Sequence, residues 1–145
     1  IMMTTTGTDK GHGIIRQDFP GGWSRDAKNA FTAEGRTGVQ NEIFNFTKTI
    51  LNWRKTAEVI HTGKLRHFIP KDGIYTYFRY NKQACVWVIM NNNGETKMVD
   101  TGRFSEMLGK YKYKTGRDVI TGGQISDLSK IEIPGKGVIV VELGK

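Results

Sequence analysis

Several residue types that define common protein classes are scarce in this 145-residue sequence. Its one cysteine, Cys85, excludes a disulfide within the chain and a zinc cluster built on two or more thiolates. The three histidines, His12, His61 and His67, have no metal-ligand spacing, so we expect no metal site. The longest apolar run, residues 84–90, has the length of a strand and falls far below the ~18 residues of a membrane span. The sequence therefore predicts neither a disulfide scaffold nor a membrane protein.

Acidic residues are fewer than basic ones, with 14 Asp and Glu against 22 Lys and Arg and a net charge of +8. That charge would suit a polyanion, but most of the cations are spread singly along the chain. The one cluster, residues 110–114, alternates Lys and Tyr and predicts an edge strand with solvated lysines on one face. No motif of an RNA- or DNA-binding fold accompanies it. We therefore expect no nucleic-acid partner, and a basic nucleic-acid-binding domain stays as an alternative whose binding would fall steeply with salt.

The hydrophobic pattern changes along the chain. Residues 1–36 have no sustained period and predict a long loop rich in Gly, Thr, Asn and Asp. Residues 37–57 predict one long helix, because apolar residues recur at spacings of three and four and Thr37 with Gln40 forms a capping box. Beyond residue 61 the pattern predicts a mainly β fold, an antiparallel sandwich without alternating strands and helices. Its expected strands cover 65–69, 74–80, 85–90, 96–99, 111–113, 117–120, 131–133 and 137–143.

The sequence assigns no catalytic residue. Acid–base catalysis on a sugar needs two facing carboxylates, and the acids here are isolated along the chain. Cys85 lies inside an apolar run, where a small buried side chain is expected instead of a nucleophile. The glycine pairs near the start do not lie between a strand and a helix, so no phosphate loop is predicted.

Residues suited to contact a sugar ring occur together between positions 16 and 23. Sugar rings present apolar C–H faces that pack on aromatic side chains, while their hydroxyls hydrogen-bond with polar groups. Arg16, Asp18, Phe19 and Trp23 supply both kinds of contact. Alternatively, Phe19 and Trp23 anchor the long loop while Arg16 pairs locally with Asp18. The residues alone leave both interpretations open.

The same segment carries a family resemblance. Residues 13–23, with the sequence GIIRQDFPGGW, and residues 29–32 resemble the loop after the eighth barrel strand in the α-amylase superfamily, glycoside hydrolase family 13. The similarity is greatest to bacterial cyclomaltodextrinase- and neopullulanase-like enzymes. Residues 50–54, with the sequence ILNWR, resemble the end of the final barrel helix. Residues 61–65, 73–80, 118–122 and 133–143 resemble strands of the C-terminal β-sandwich.

This resemblance implies two parts. Residues 1–60 would be a remnant of a (β/α)8 barrel, its last loop and final helix, and residues 61–145 the C-terminal sandwich. The parent enzyme would hydrolyse α-1,4-glucosidic bonds of cyclodextrins, malto-oligosaccharides or pullulan. The catalytic carboxylates of that family belong to earlier barrel strands, so this part is expected to be inactive by itself. Arg16, Asp18, Phe19 and Trp23 would rim the substrate cleft, because active sites of such barrels lie at this end.

The expected partners follow from the same resemblance. They are an α-glucan oligosaccharide, bound through the parent enzyme, and the catalytic barrel, which we expect to precede a chain that starts with Ile1. Without the barrel, the apolar stripe of the helix would pack on the sandwich or drive self-association. No cofactor is expected here, and calcium in the parent, like the choice between cytoplasm and periplasm, stays open. The sandwich is also a candidate auxiliary sugar-binding surface, with contacts from Tyr75, Tyr77, Tyr80, Tyr111 and Tyr113. A further alternative is a stand-alone carbohydrate-binding module, which would bind starch or cyclodextrin without the barrel.

Overall fold

The computed structural model describes residues 18–110 and 112–144. Its helices are α1 (Gly38–Thr56), α2 (Glu58–Thr62) and α3 (Ser105–Leu108), the last preceded by a 3-10 turn (Thr101–Phe104). Its strands are β1 (Lys64–Lys71), β2 (Ile74–Tyr80), β3 (Cys85–Asn91), β4 (Lys97–Val99), β5 (Thr115–Asp118), β6 (Gln124–Ile125), β7 (Ile131–Ile133) and β8 (Val138–Gly144). No helix in this part of the chain is long and apolar enough to cross a membrane. The chain forms two compact units, and the boundary between them lies within α1, between Lys48 and Thr49. The second unit begins at Thr49.

Helix α1 begins with the predicted capping box. The Thr37 amide donates to Gln40 Oε1 at 2.8 Å, and the Gln40 amide donates to Thr37 Oγ1 at 3.3 Å. These reciprocal bonds satisfy backbone donors that the first helical turn leaves without partners. Arg54 and Lys55 lie in the last turn, where the helix dipole favours cations. The observed helix confirms the prediction to within one residue at each end.

The second unit is built from two antiparallel sheets. The larger has six strands in the order β1-β2-β3-β8-β5-β6, and the smaller pairs β4 with β7. Residues Cys85 to Ile89 of β3 are all buried, because this strand lies inside the sheet and side chains on both faces are covered. The mainly β, antiparallel fold that the sequence predicts is therefore confirmed, with one long helix before it.

An aromatic core lies between the larger sheet and the β4–β7 pair. Phe78 of β2 stacks on Trp87 of β3 with ring centroids 5.3 Å apart, and Phe104 meets Trp87 edge-on at 5.6 Å. All three side chains are fully buried. Val99 of β4 and Ile133 of β7 close the core from the other side. Burial of these large rings supplies much of the hydrophobic free energy of the sandwich.

The opposite face of the larger sheet carries a second, smaller cluster. Val86, Val88 and Val140 are buried there against Val59 of α2. The last turns of α1 pack on this cluster through residues including Ile50 and Trp53. Val39, Ile43 and Phe46 in the earlier turns of the same helix stay exposed, as does Leu51.

The predicted strand over 111–113 is wrong for the residues described there. Lys112 has a positive φ of 57°, and Tyr113 follows in an irregular segment. The Lys112 amide donates to the Gly109 carbonyl at 3.1 Å and the Tyr113 amide to the Leu108 carbonyl at 3.0 Å. Because these donors close the end of α3, they cannot join a sheet. Tyr111 lies outside the described residues.

The next strand is displaced from its predicted position at 117–120. β5 ends at Asp118, whose side chain accepts hydrogen bonds from the amides of Ile120 and Thr121 at 3.1 and 3.3 Å. A carboxylate that accepts from amides just ahead of it stabilises a turn instead of an extended strand. The two-residue strand β6 then follows, too short to have a recognisable alternation.

Candidate functional site

The described part of the sugar-contact segment belongs to a turn that the Asp26 side chain and one backbone hydrogen bond stabilise. The Asp26 carboxylate accepts hydrogen bonds from the Gly22 and Trp23 amides at 3.0 and 3.1 Å. The Ala30 amide donates to the Pro20 carbonyl at 2.8 Å. Gly22 has a φ of 82°, a left-handed conformation in which a side chain would be strained. These hydrogen bonds hold the backbone of Trp23 in one conformation.

Arg36 connects this loop to the start of α1. Its Nη1 donates to the Ala30 carbonyl at 2.6 Å and its Nε donates to Asn41 Oδ1 at 2.8 Å. The guanidinium also lies 3.8 Å from the centre of the Phe44 ring, a cation–π contact. Sequence reasoning missed Arg36, because nothing in the local pattern shows which carbonyls its five donors reach.

Aromatic side chains of the loop face solvent. Trp23 is 76% exposed, Phe31 71% and Phe19 45%. Phe19 and Phe31 meet edge-on with centroids 5.5 Å apart, so the pair forms one apolar surface. That Phe19 or Trp23 anchors the loop stays a prediction: Phe19 has a ring partner in Phe31, and the Trp23 side chain is largely exposed.

Of the predicted rim residues, the structure describes Asp18, Phe19 and Trp23, and the ring contact of Phe19 is with Phe31. Asp18 is exposed, and no other described residue forms a hydrogen bond or ion pair with it. Arg16 lies outside the described residues, so its pairing with Asp18 stays a prediction. The exposed Trp23 indole and the Phe19–Phe31 pair can pack on apolar faces of a sugar. The Asp26 carboxylate is engaged by backbone amides, so we assign it to the turn and not to acid–base chemistry.

A second group of polar residues joins α1 to the larger sheet. The Trp53 indole Nε1 donates to Glu142 Oε1 of β8 at 2.7 Å. The other carboxylate oxygen, Glu142 Oε2, accepts from Arg117 of β5 at 2.8 Å. One carboxylate therefore fastens the helix and two strands. We call this group, formed by Trp53, Glu142 and Arg117, the helix–sheet joint.

Cys85 is a core residue, as the sequence predicts. It is 2% exposed, and burial raises the pKa of its thiol to about 12 despite a hydrogen bond from Tyr113 that lowers it. The neutral thiol that results is a poor nucleophile. His61 and His67 are exposed, and the described residues contain no group of three metal-ligating side chains.

The tyrosines considered as sugar contacts are half-buried in the sandwich. Tyr75 and Tyr77 lie on one face of β2 with ring centroids 6.0 Å apart. Tyr80 and Tyr113 pack against the aromatic core. These four rings therefore serve packing at least in part, which for Tyr75, Tyr77 and Tyr80 is the default role of a tyrosine on an alternating strand.

The sandwich matches a known protein-family model. The sequence model described as "Cyclo-malto-dextrinase C-terminal domain" matches residues 65–142. The matched range begins in β1 and ends in β8, so it spans the whole sandwich.

The solved structures that match this chain belong to longer chains. An α-amylase from Geobacillus thermoleovorans, complexed with acarbose, is 19% identical with a TM-score of 0.57, covering 72% of this chain and 23% of its own. A β-galactosidase from Bacillus circulans sp. alkalophilus is 26% identical with a TM-score of 0.39, covering 52% of this chain and 10% of its own. The first likeness supports the fold, and this chain spans less than a quarter of either structure.

Proposed function

Because the chain belongs to the family of cyclomaltodextrinase C-terminal domains, we propose that it works within a hydrolase of α-1,4-glucans. The chain is a C-terminal domain of the α-amylase type of glycoside hydrolase. We infer that the whole enzyme acts on cyclodextrins, malto-oligosaccharides or pullulan. In that enzyme this part stabilises the catalytic barrel and contributes a loop to the rim of the substrate cleft.

The observation that carries this proposal is the helix–sheet joint. The last turns of α1 are fixed to the sandwich by Trp53 and Glu142, with Ile50 and Val86 packed in the same cluster. Residues 50–54 are the ones that resemble the end of a final barrel helix. A helix shared by barrel and sandwich would transmit the stability of one to the other without a flexible linker.

Substrate class is tested with the full-length enzyme and this chain side by side. We expect the enzyme to release reducing sugar from β-cyclodextrin, maltotriose and pullulan. The 145-residue chain alone should release none, since it provides no assigned catalytic carboxylate pair. Hydrolysis by the isolated chain, or an enzyme inactive on all three glucans, would refute the proposal.

A stability prediction concerns the joint. Trp53→Phe keeps an aromatic ring but leaves Glu142 Oε1 without its donor, and we expect a loss of about 1–2 kcal/mol in unfolding free energy. Urea unfolding of the chain, followed by circular dichroism, measures this loss. In the full-length enzyme, the temperature at which activity is lost should fall in parallel.

Trp23→Phe is the matched control, because the same exchange at an exposed indole should change stability by less than about 0.5 kcal/mol. If Trp53→Phe lowers the stability of the sandwich while the heat inactivation of the enzyme stays unchanged, the joint does not couple the two parts.

A kinetic prediction concerns the rim. Trp23→Ala in the full-length enzyme should raise KM for malto-oligosaccharides about tenfold, the equivalent of one lost aromatic contact of about 1.4 kcal/mol. Arg16→Ala should act in the same direction. Initial rates over a range of maltotriose and maltoheptaose concentrations measure the effect. Val39→Ala, an exposed apolar change on α1, serves as control, and unchanged kinetics in both rim variants would remove this loop from the cleft.

A further inference from the structure

An open groove runs beside α3, within the second unit. It has a volume of about 440 Å³ and is lined by residues that include Ser105, Leu108, Lys112, Tyr113, Lys114 and Leu128. We call it the α3 groove. A volume of this size accommodates a small molecule, since ligand sites typically begin at about 300 Å³.

The walls of the α3 groove are held by backbone hydrogen bonds. The Tyr113 amide donates to the Leu108 carbonyl at 3.0 Å, and the Lys114 amide donates to the Gly144 carbonyl at 3.2 Å. The Leu128 amide in turn donates to the Lys114 carbonyl at 3.4 Å. Lys112 takes the left-handed φ of 57° that such a tight connection requires. The groove is therefore formed before any ligand binds, which lowers the entropic cost of binding.

The floor of the groove is apolar. Leu108 and Leu128, which are 8% and 4% exposed, line it. The Tyr113 hydroxyl is turned away to the Cys85 thiol, which leaves the ring of Tyr113 as a wall. Such a floor suits the C–H faces of a sugar ring.

The rim of the groove is cationic. Lys112 and Lys114 are both exposed, and no Asp or Glu is found among the described residues that line the groove. The adjacent Asp127 carboxylate accepts from the hydroxyl and amide of Ser129 at 2.6 and 2.8 Å, which lowers its pKa. Neutral sugars are usually held by carboxylates as acceptors, whereas two ammonium groups favour an anion.

We propose that the α3 groove binds a phosphorylated sugar of mono- or disaccharide size. The sugar ring lies on Leu108, Leu128 and Tyr113, and the phosphate lies between Lys112 and Lys114. The Ser105 hydroxyl is placed to hydrogen-bond a ring hydroxyl. The sugar part of this ligand is inferred from the proposed function of the enzyme, whereas its phosphate is inferred only from the two lysines.

Calorimetric titration of the 145-residue chain tests the proposal. The probe is glucose 6-phosphate, with glucose and inorganic phosphate as its two halves. We expect glucose 6-phosphate to bind at least about tenfold more tightly than either half, because both floor and rim then contribute. Lys112→Gln and Lys114→Gln should each weaken binding about fivefold to tenfold, and salt should weaken it further.

Lys82→Gln is the matched control. It removes the same charge from an exposed turn that does not line the groove, and it should change the affinity less than about twofold. Equal affinities for phosphate and glucose 6-phosphate would reduce the site to a simple anion site and overturn the proposal. So would equal effects of Lys82→Gln and Lys112→Gln, or no binding at all. None of these results bears on hydrolysis of neutral glucans, so the proposed function is judged separately.

Discussion

Replacing Asn91 by aspartate should lower the free energy of unfolding by about 3–5 kcal/mol, one of the largest losses that a single polar exchange causes. Asn91 is 3% exposed at the end of β3. Its Nδ2 donates to the carbonyls of Glu95, Ile133 and Pro134 at 2.8, 3.2 and 3.0 Å. A carboxylate offers no donor there and places a negative charge against three carbonyl dipoles.

The loss should depend on pH in a defined direction. Burial and the facing carbonyls raise the pKa of a carboxyl at position 91 above its unfolded value of about 3.9. Relative to the natural chain, the penalty of ionisation is therefore absent below about pH 3.9 and grows as the pH rises towards the folded-state pKa. Urea unfolding of both proteins across pH 3.5–7.5, with the difference between them as the readout, measures it.

Two variants separate the charge from the missing donor. Asn91→Ala removes the donor without adding a charge and should cost about 2–3 kcal/mol at every pH. Asn92→Asp is the matched control, because Asn92 is exposed and its Oδ1 already accepts from the Lys136 ammonium at 3.1 Å. It should change stability by less than about 0.5 kcal/mol. An Asn91→Asp variant as stable as Asn92→Asp would show that Asn91 does not hold these loops together.

The second large effect is expected at Trp87. Replacement by alanine should cost about 3–5 kcal/mol, because it empties space between Phe78 and Phe104 that no neighbouring side chain can fill. The Trp87 side chain is fully buried, stacked on Phe78 with an interplanar angle of 8°. Its indole N–H donates to Thr76 Oγ1, and the Thr76 hydroxyl donates to the Val88 carbonyl at 2.7 Å.

Trp87→Phe divides this loss into packing and hydrogen bonding. It keeps a stacked ring but removes the donor to Thr76, so we expect a smaller cost of about 1–2 kcal/mol. Equilibrium unfolding of both variants provides the comparison, with Trp23→Ala as the exposed control. If the phenylalanine variant were as unstable as the alanine variant, the bond to Thr76, and not the stacked rings, would be what holds this part of the core.

The sequence was most informative where a signal is local. The capping box at Thr37 and the helical spacing after it predict α1, and the apolar run at 84–90 predicts the strand that the structure shows as β3. The Lys–Tyr alternation at 110–114 gave a wrong prediction, because an alternation of two residue types is compatible with a strand but does not by itself produce one. Whether one forms depends on where the amides of Lys112 and Tyr113 donate.

The rest depends on contacts between distant residues. Nothing near Asn91 in the sequence shows that its amide would reach the carbonyl of Ile133, the last residue of β7, and the carbonyl of Pro134 just after it. The loop before α1 is similar: the aromatic residues Phe19 and Trp23 can be read from the sequence, but the pairing of Phe19 with Phe31 and the hydrogen bonds of Arg36 cannot. Side-chain partners of this kind require the folded backbone.

The helix–sheet joint sets a rule for exchanging this sandwich between related enzymes. A chimera cut after residue 60 would separate the chain at the apparent start of the β pattern, yet it would replace Trp53 while keeping Glu142 and Arg117. The donor of the sandwich must therefore also supply the last turns of α1, from about Thr49 onward. Chimeras joined at that upstream position should keep the melting temperature of the donor sandwich. In chimeras joined at residue 60, Glu142 would instead face a helix from another protein that need not provide a donor.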